Sequence, residues 1–301
     1  MITITAILIV WLNSSLSLSL RLRQRSQRLL SLFSLSCMET FLVVDMGSSS
    51  IRCTGYSVDD NKILDYSRVQ IKQQLLNDIG RTKADTIFTL VNQAIDTCLE
   101  NIRSKHEFHV KSVGFSCFAM SFVGCNQKFE TVTDTFTYAS RLSSYDFKPD
   151  EQQIISHFAK TGTILKHPSY APPHLLSLAR SSNLKSIDKF YTLSSLIISR
   201  WRNKLTPISY SEASWTGLFD FKHLCWDEHA LELCHIPACL LPPVADFDDE
   251  PYIPMLPLYA ERWPELAEAK IFLGIGDGAA ATIGSRCTVV ERVSVTIGAI
   301  S

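Results

Sequence analysis

A turn after the apolar run Phe41–Met46 gathers residues that could bind phosphate. It combines a carboxylate, a glycine, three serines and an arginine: Asp45, Gly47, Ser48, Ser49, Ser50 and Arg52. The amides and hydroxyls of such a turn can bind phosphate oxygens, and the arginine can pair with phosphate charge. The carboxylate could hold Mg²⁺ through water. The alternative is a hydrophilic hairpin turn that binds no ligand.

A second group of residues surrounds one carboxylate with small neighbours. Asp277 lies between Gly276 and Gly278, after a predicted strand at Ile271–Leu273. Small neighbours would let a substrate hydroxyl reach the carboxylate, which could accept its proton during phosphoryl transfer. The alternative is a glycine-rich turn in which the aspartate caps the following helix.

A third group lies near the last residue of the sequence. A strand predicted over Arg292–Ile297 runs into Gly298, where backbone N–H groups and Thr296 could meet phosphate oxygens. The alternative is an ordinary strand end. The sequence contains no P-loop, no dinucleotide fingerprint and no HExxH motif, so the common nucleotide and zinc signatures do not explain these groups.

The elements that would position these residues follow from hydrophobic periodicity. Strands are predicted at Phe41–Met46, Ile51–Val58, Ile63–Ile71 and Val110–Phe115, and a helix with one apolar face at Ala84–Ile102. This order of elements predicts an α/β domain with a mixed sheet. The stretch from 149 to 201 is predicted to be mostly helical. Pro172-Pro173 and Pro242-Pro243 are expected to mark loops.

The composition excludes some classes of function. Lys and Arg total 29 and Asp and Glu total 30, so the charge gives no support for nucleic-acid binding or a polybasic membrane contact. The apolar fraction of 46% is sufficient for a sizeable core. The nine cysteines show no metal-binding spacing, which favours buried thiols in a reducing compartment.

Residues 1–37 differ from the rest of the chain because they contain arginine and much serine but no Asp or Glu. We interpret them as a presequence or as a gene-model artefact, since Met38 would make a natural start. A membrane anchor is a further alternative, although the apolar run Ile2–Leu12 is about half of what a span needs. We expect a cytoplasmic protein, or a mitochondrial one if these residues are a transit peptide.

Taken in order, the three groups resemble the motifs of FGGY carbohydrate kinases, and the resemblance runs from about Phe41 to the last residue. It implies an α/β actin-like ATPase (ribonuclease H-like) fold with a mixed sheet and flanking helices. It also implies a sugar-binding N-terminal domain over 38–286, with the start of a truncated nucleotide-binding domain at 287–301. His167–Tyr170 and Trp215–Asp220 are similar to a gluconate-kinase-like branch.

The resemblance implies a role for each residue. Asp277 would be the general base, and Asp45 would organise Mg²⁺. Residues facing the phosphates of ATP would be Gly47, Ser48, Ser49, Ser50, Arg52, Thr296 and Gly298. Residues contacting the sugar would be Ser116, Phe118, Met120, Arg141, His167, Gly276 and Gly278. The implied cofactors are ATP and Mg²⁺. The implied partner is a small sugar, polyol or sugar acid, with no nucleic acid and no stable membrane association.

Two departures from the family pattern leave a second function open. Ala119-Met120 stands where the family carries Trp-His or Met-His, and Thr137–Arg141 lacks the aspartate of the family's substrate motif. A non-catalytic sugar-binding relative of the kinases is therefore the alternative. A hydrolase that uses Ser116 or Asp277 is disfavoured, because neither has a histidine partner or an oxyanion signature in the sequence. Gluconate, xylulose, sedoheptulose and polyols all stay open as substrates.

Overall fold

The structure is a computed structural model that describes residues 37–71, 76–142, 147–181, 183–247, 254–288 and 291–293. Its strands are β1 Met38–Met46, β2 Ser50–Ser57, β3 Ile63–Gln70, β4 Phe108–Cys117, β5 Phe122–Cys125, β6 Lys189–Thr192, β7 Ile208–Ser209, β8 Phe219–Asp220, β9 Cys225–Trp226, β10 Val244–Ala245, β11 Lys270–Ile271 and β12 Ile275–Gly276. Its α-helices are α1 Ala84–Arg103, α2 Glu151–Thr161, α3 Ala171–Arg180, α4 Leu193–Arg202, α5 Tyr210–Ser214, α6 Glu228–Cys234, α7 Pro257–Arg262 and α8 Asp277–Gly284.

A mixed sheet organises the described part of the chain. Its strands lie in the order β11-β4-β1-β2-β3, and β12 also pairs with β4. β1, β11 and β12 run parallel to β4, whereas the β1–β2 and β2–β3 pairs are antiparallel. The predicted α/β class and mixed sheet are therefore confirmed.

The sheet separates two apolar clusters because side chains alternate between its faces. Leu42, Val44 and Met46 of β1 belong to the larger cluster, which includes the buried face of α1. Phe41 and Val43 belong to a smaller cluster on the other face. A strand that is buried on both faces must be continuously apolar, which explains the run that the sequence shows here.

Three sequence predictions need correction. Pro172 and Pro173 lie in the first turn of α3, where their missing N–H groups would have no intrahelical acceptor, so they do not form a loop. The segment from 149 to 201 is mostly helical, as predicted, and it also contains strand β6, which pairs with β5. The strand predicted at Ile271–Leu273 is instead Lys270–Ile271. Arg292 and Val293 are not in a strand, and the rest of the predicted strand Arg292–Ile297 lies outside the described residues.

Within the described residues, none of the helices combines the length and the apolar character needed to cross a membrane.

Candidate active site

The parallel strands β1, β4 and β12 end together and bring the two predicted carboxylates to one edge of the sheet. Asp45 of β1 is the partner of Ser116 on β4, and Ser116 is the partner of Ile275 on β12. Arg52 of β2 lies opposite Asp45 on its other side. Asp277 follows β12 directly and is the first residue of α8. Residues far apart in sequence thus form one row across four strands.

Asp45 is a buried carboxylate with a partly buried cation beside it. Its side chain is 7% exposed, and Oδ2 accepts a hydrogen bond of 2.7 Å from Nη1 of Arg52. Burial raises the pKa of Asp45, and Arg52 and the Ser116 hydroxyl oppose that rise by favouring the ionised form. The Ser116 hydroxyl lies beside the carboxylate without a well-formed hydrogen bond to it. Arg52 is therefore engaged with Asp45 in this structure.

Asp277 is a half-buried carboxylate at the start of α8. Its Oδ1 accepts a hydrogen bond of 2.8 Å from the backbone N–H of Gly278. Burial raises the pKa of Asp277, and the negative charge of Asp45 adds to that rise. The cap position of the helix is Gly276, so Asp277 does not act as the N-cap that the simpler interpretation of this segment supposes.

Glycines around Asp277 determine how closely other groups approach. A Cβ atom at Gly276 would lie 2.9 Å from the Trp215 ring, whereas a Cβ atom at Gly278 would meet nothing within 4 Å. Gly276 is therefore packed against protein, and Gly278 borders open space. The structure thus gives the two predicted substrate residues different environments.

The serine turn between β1 and β2 is held by its backbone. The N–H of Gly47 donates to the carbonyl of Ser50 at 3.1 Å, and the Ser49 carbonyl accepts from the N–H of Ile71. Ser48 is half-buried and Ser49 exposed, whereas the Ser50 hydroxyl is buried and has no hydrogen-bond partner in the described part of the chain. Ser48 and Ser49 can meet a ligand, but Ser50 faces the protein interior.

Loops that carry most of the predicted substrate residues adjoin the end of β4, and we refer to segments 79–81, 118–120, 137–141 and 167–170 as the loop wall. It begins where β4 ends, because the N–H of Phe118 donates to the carbonyl of Met46. The Phe118 ring contacts Tyr138 edge-on, with centroids 6.3 Å apart. The carbonyl of Tyr138 in turn accepts from the Ser169 hydroxyl at 2.5 Å. A continuous chain of contacts thus leads from the strand ends to the predicted substrate residues.

The predicted substrate residues of the loop wall differ in exposure. Phe118 and Met120 are buried, and Met120 has a left-handed backbone with φ of 67°. Arg141 and His167 are exposed. The His167 ring packs against Tyr170 and its Nδ1 accepts from the N–H of Ser169, so it also has a local structural role. Thr296 and Gly298 lie outside the described residues.

Glu212 is not among the predicted site residues, and it lies behind the segment that carries Asp277. Its side chain is fully buried, and Oε2 accepts hydrogen bonds from the hydroxyls of Thr192 at 2.5 Å and Ser194 at 2.6 Å. Oε1 is buried without a partner in the described residues. Burial raises the pKa of Glu212 to about 7, against the effect of the two hydroxyls.

Helix α5, which carries Glu212, and its N-cap residue Ser209 also form hydrogen bonds with the segment that precedes Asp277. The Ser209 hydroxyl donates to the carbonyl of Gly274 at 2.5 Å, and the N–H of Gly276 donates to Ser211 Oγ at 3.1 Å. In sequence, Ser209 and Glu212 have the spacing of an N-terminal capping box. That pattern predicts a helix start and gives no sign that the glutamate side chain turns inward.

The residues present suit the metal that accompanies ATP in kinases. Mg²⁺ commonly takes one or two protein carboxylates and completes its shell with water and phosphate oxygens. Asp45 and Asp277 are close enough for the charge of one to act on the other, and they offer two such carboxylates. Among the described residues no group of three or more His, Cys, Asp or Glu could enclose a metal by itself. The carboxylates of Asp45 and Asp277 therefore fit a metal whose remaining ligands would be water and phosphate oxygens.

Comparisons with known proteins agree with this geometry. A gluconokinase of Bacillus subtilis (strain 168) is 23% identical over 268 residues, which cover 85% of this chain and 50% of that protein. The fold matches a gluconate kinase from Lactobacillus acidophilus with a TM-score of 0.67 and 20% identity, covering 80% of this chain and 49% of the other. A ligand-bound xylulose kinase from the same organism matches with a TM-score of 0.69 and 21% identity, over 83% and 50%.

These matches confirm the actin-like kinase fold and show that the chain spans about half the length of its relatives. The model of the N-terminal domain of the FGGY family of carbohydrate kinases matches residues 40–284, which is most of the chain. The chain therefore belongs to the FGGY family of carbohydrate kinases and carries the N-terminal domain of that family.

Proposed function

We propose that this chain carries the sugar-binding half of an ATP-dependent carbohydrate kinase, with Asp277 as the general base. The observation that carries the proposal is the meeting of Asp45 and Asp277 at the ends of parallel strands, with open space at Gly278. Residues 38–286 would form the sugar-binding domain, and 287–301 would begin a nucleotide-binding domain.

In the proposed reaction a hydroxyl oxygen of the substrate attacks the γ-phosphorus of ATP in line. Its proton passes to a carboxylate oxygen of Asp277, and the bond between the γ-phosphorus and the bridging oxygen breaks to release ADP. A raised pKa makes Asp277 a stronger base than an ordinary aspartate. The hydrogen bond from the N–H of Gly278 holds one carboxylate oxygen, and the other oxygen would accept the proton.

Other residues of the site would bind and orient the reactants. Asp45 would hold Mg²⁺ through water, and the metal would supply neutralisation of phosphate charge. The turn at Gly47–Ser49 and Arg52 would face the γ-phosphate, and Thr296 and Gly298 the remaining phosphates. Arg52 would share its charge between Asp45 and phosphate, because a guanidinium has five N–H donors.

The experiment is a coupled assay of ADP release with gluconate, xylulose and glycerol. It uses the 301-residue chain and the longest natural polypeptide that contains it. We expect stimulation by one acceptor, and a loss of about 10²- to 10⁴-fold in turnover in Asp277→Asn. Asp59→Asn, in the exposed hairpin turn after β2, is the matched control and should leave turnover unchanged. Unchanged turnover in Asp277→Asn would contradict the assignment of the base.

A non-catalytic sugar-binding relative is the second candidate. It is favoured by the loop wall, where Met120 replaces the family's histidine and the 137–141 segment lacks the family's aspartate. Folded protein that binds an acceptor but releases no ADP with any of them would support this candidate over the kinase.

A further inference from the structure

The guanidinium of Arg81 is half-buried and has no acceptor for its hydrogen bonds in the described part of the chain. Its Nε is buried without a partner, and its side chain forms no ion pair there. The nearby carboxylate of Asp134 is bonded to Lys83 Nζ at 2.5 Å. An unsatisfied buried donor costs free energy unless a ligand or water supplies the acceptor. Arg81 is therefore a cation whose Nε has no hydrogen-bond acceptor among the described residues.

Aromatic stacking holds Arg81 in one place. Its Cζ lies 4.9 Å from the centroid of the Phe136 ring, and His174 stacks on the same ring at 4.7 Å with an interplanar angle of 14°. Phe136 is buried, and its backbone pairs with Phe122 at the start of β5. A guanidinium fixed in this way loses little further freedom when it binds a ligand.

Arg81 belongs to the loop wall of the proposed sugar site. The carbonyl of the preceding Gly80 accepts hydrogen bonds from the hydroxyls of Thr137 at 2.5 Å and Ser140 at 3.2 Å. The N–H of Arg141 donates to the carbonyl of Ile79. These bonds join the Arg81 segment to the segment that contains Tyr138, which contacts Phe118 at the end of β4.

Arg81 is placed to bind the end of a substrate that lies away from its reacting hydroxyl. Arg81 is joined to the strand ends through the loop wall, by way of Tyr138 and Phe118, whereas the cation bonded to Asp45 is Arg52. Arg81 therefore lies on the loop side of the proposed site. An anionic group bound there would belong to the acceptor molecule. The planar fork of a guanidinium matches a carboxylate with two parallel hydrogen bonds.

We propose that Arg81 binds the carboxylate of a sugar-acid acceptor and thereby selects acidic over neutral substrates. This inference rests on the proposed kinase function, because it assigns a ligand to the same cleft. It makes Arg81 a specificity residue, with the acceptor carboxylate at the loop wall and the reacting hydroxyl at Asp277.

Gluconate and sorbitol provide a matched test, because they are six-carbon polyols that differ in one terminal carboxylate. Binding to the 301-residue chain and to the longest natural polypeptide containing it is measured by titration calorimetry. We expect wild type to bind gluconate about 10- to 100-fold more tightly than sorbitol, the factor that a charged hydrogen bond provides. Acetate should bind far more weakly than gluconate, which distinguishes a sugar-acid site from a general anion site.

Arg81→Met should abolish the preference for gluconate while leaving sorbitol binding unchanged, and Arg81→Lys should retain part of the preference because it keeps the charge. Arg103→Met removes a surface arginine that pairs with Glu265 and is the control. Circular dichroism establishes that each variant is folded.

Three outcomes would overturn the inference. Equal binding of gluconate and sorbitol by wild type, or an unchanged preference in folded Arg81→Met and Arg81→Lys, would overturn it and leave the kinase proposal intact. Binding of neither polyol by folded protein would overturn the sugar-binding function together with this inference.

Discussion

The two sides of the site are built by different means. Strands β1, β2, β4 and β12 carry the proposed phosphate side, where backbone pairing places Arg52, Asp45 and Ser116 in one row. Loops carry the proposed sugar side, where single hydrogen bonds and ring contacts join Phe118, Tyr138 and Ser169. A sheet register cannot shift by one residue without turning every side chain to the other face, whereas a loop can change locally.

The resemblance drawn from the sequence follows this division. The groups predicted to match the family, around Asp45 and Asp277, both lie at strand ends. The predicted departures, at Met120 and in the 137–141 segment, both belong to the loop wall. We therefore expect substrate preference to vary through the loops more readily than the strand-end groups do.

The largest effect on stability should come from Gly80→Ala, which disturbs the packing of the loop wall. A Cβ atom at Gly80 would lie 1.9 Å from the carbonyl oxygen of Ala139, and the backbone is left-handed with φ of 71°. We expect a loss of about 4 kcal/mol in the free energy of unfolding, from strain plus overpacking. Denaturant unfolding measures it. In the control Gly162→Ala, φ is 67° but the nearest contact is 3.9 Å, so the loss should be about 1 kcal/mol. Equal losses would contradict the proposed close approach.

Two alanine variants should separate structure from function on the strand side. A Cβ atom at Gly274 would lie 2.3 Å from Ser194 Oγ and 2.5 Å from Glu212 Oε1, so Gly274→Ala should cost about 3 kcal/mol of stability. Gly278→Ala meets no atom and lies in α8, so stability should be unchanged or rise by up to about 1 kcal/mol. If Gly278 borders the substrate, its alanine variant should still bind the acceptor more weakly. Unfolding and acceptor titration on both variants test this.

A smaller, pH-dependent effect should come from Glu212→Gln, which tests the support beneath Asp277. The pKa of Glu212 is about 7 in the folded chain against an ordinary value of 4.5. Between these values the folded state holds more protons than the unfolded state, so the contribution of Glu212 to stability falls as pH rises. A glutamine side chain does not titrate, so Glu212→Gln should lack this fall. The free energy of unfolding of the variant minus that of wild type should therefore be about 2 to 3 kcal/mol larger at pH 8 than at pH 4.5.

Stability curves from denaturant unfolding at several pH values measure this difference. Glu232→Gln is the control, because the Glu232 side chain is 80% exposed and should show no such dependence. A difference between wild type and Glu212→Gln that is constant with pH would show that folding does not raise the pKa of Glu212.

The sequence by itself determined the strand side of this site. Apolar runs of strand length predicted β1, β2, β3 and β4, and the apolar periodicity of α1 predicted its buried face. The chemical groups at Asp45 and Asp277 were also visible, because each follows or ends an apolar run and has small neighbours. Local patterns such as these depend on neighbouring residues, which the sequence displays directly.

Only the tertiary structure decided what lies around those groups. No local pattern shows that Glu212 faces Gly274, or that Arg81 stacks on Phe136. Pro172 and Pro173 predict a loop from the sequence alone, because a turn accepts proline as readily as the first turn of a helix does. The contacts of Glu212 and Arg81 join residues more than 50 positions apart in the chain. The burial of a side chain and the choice of its partners depend on such contacts, which exist only once the chain has folded.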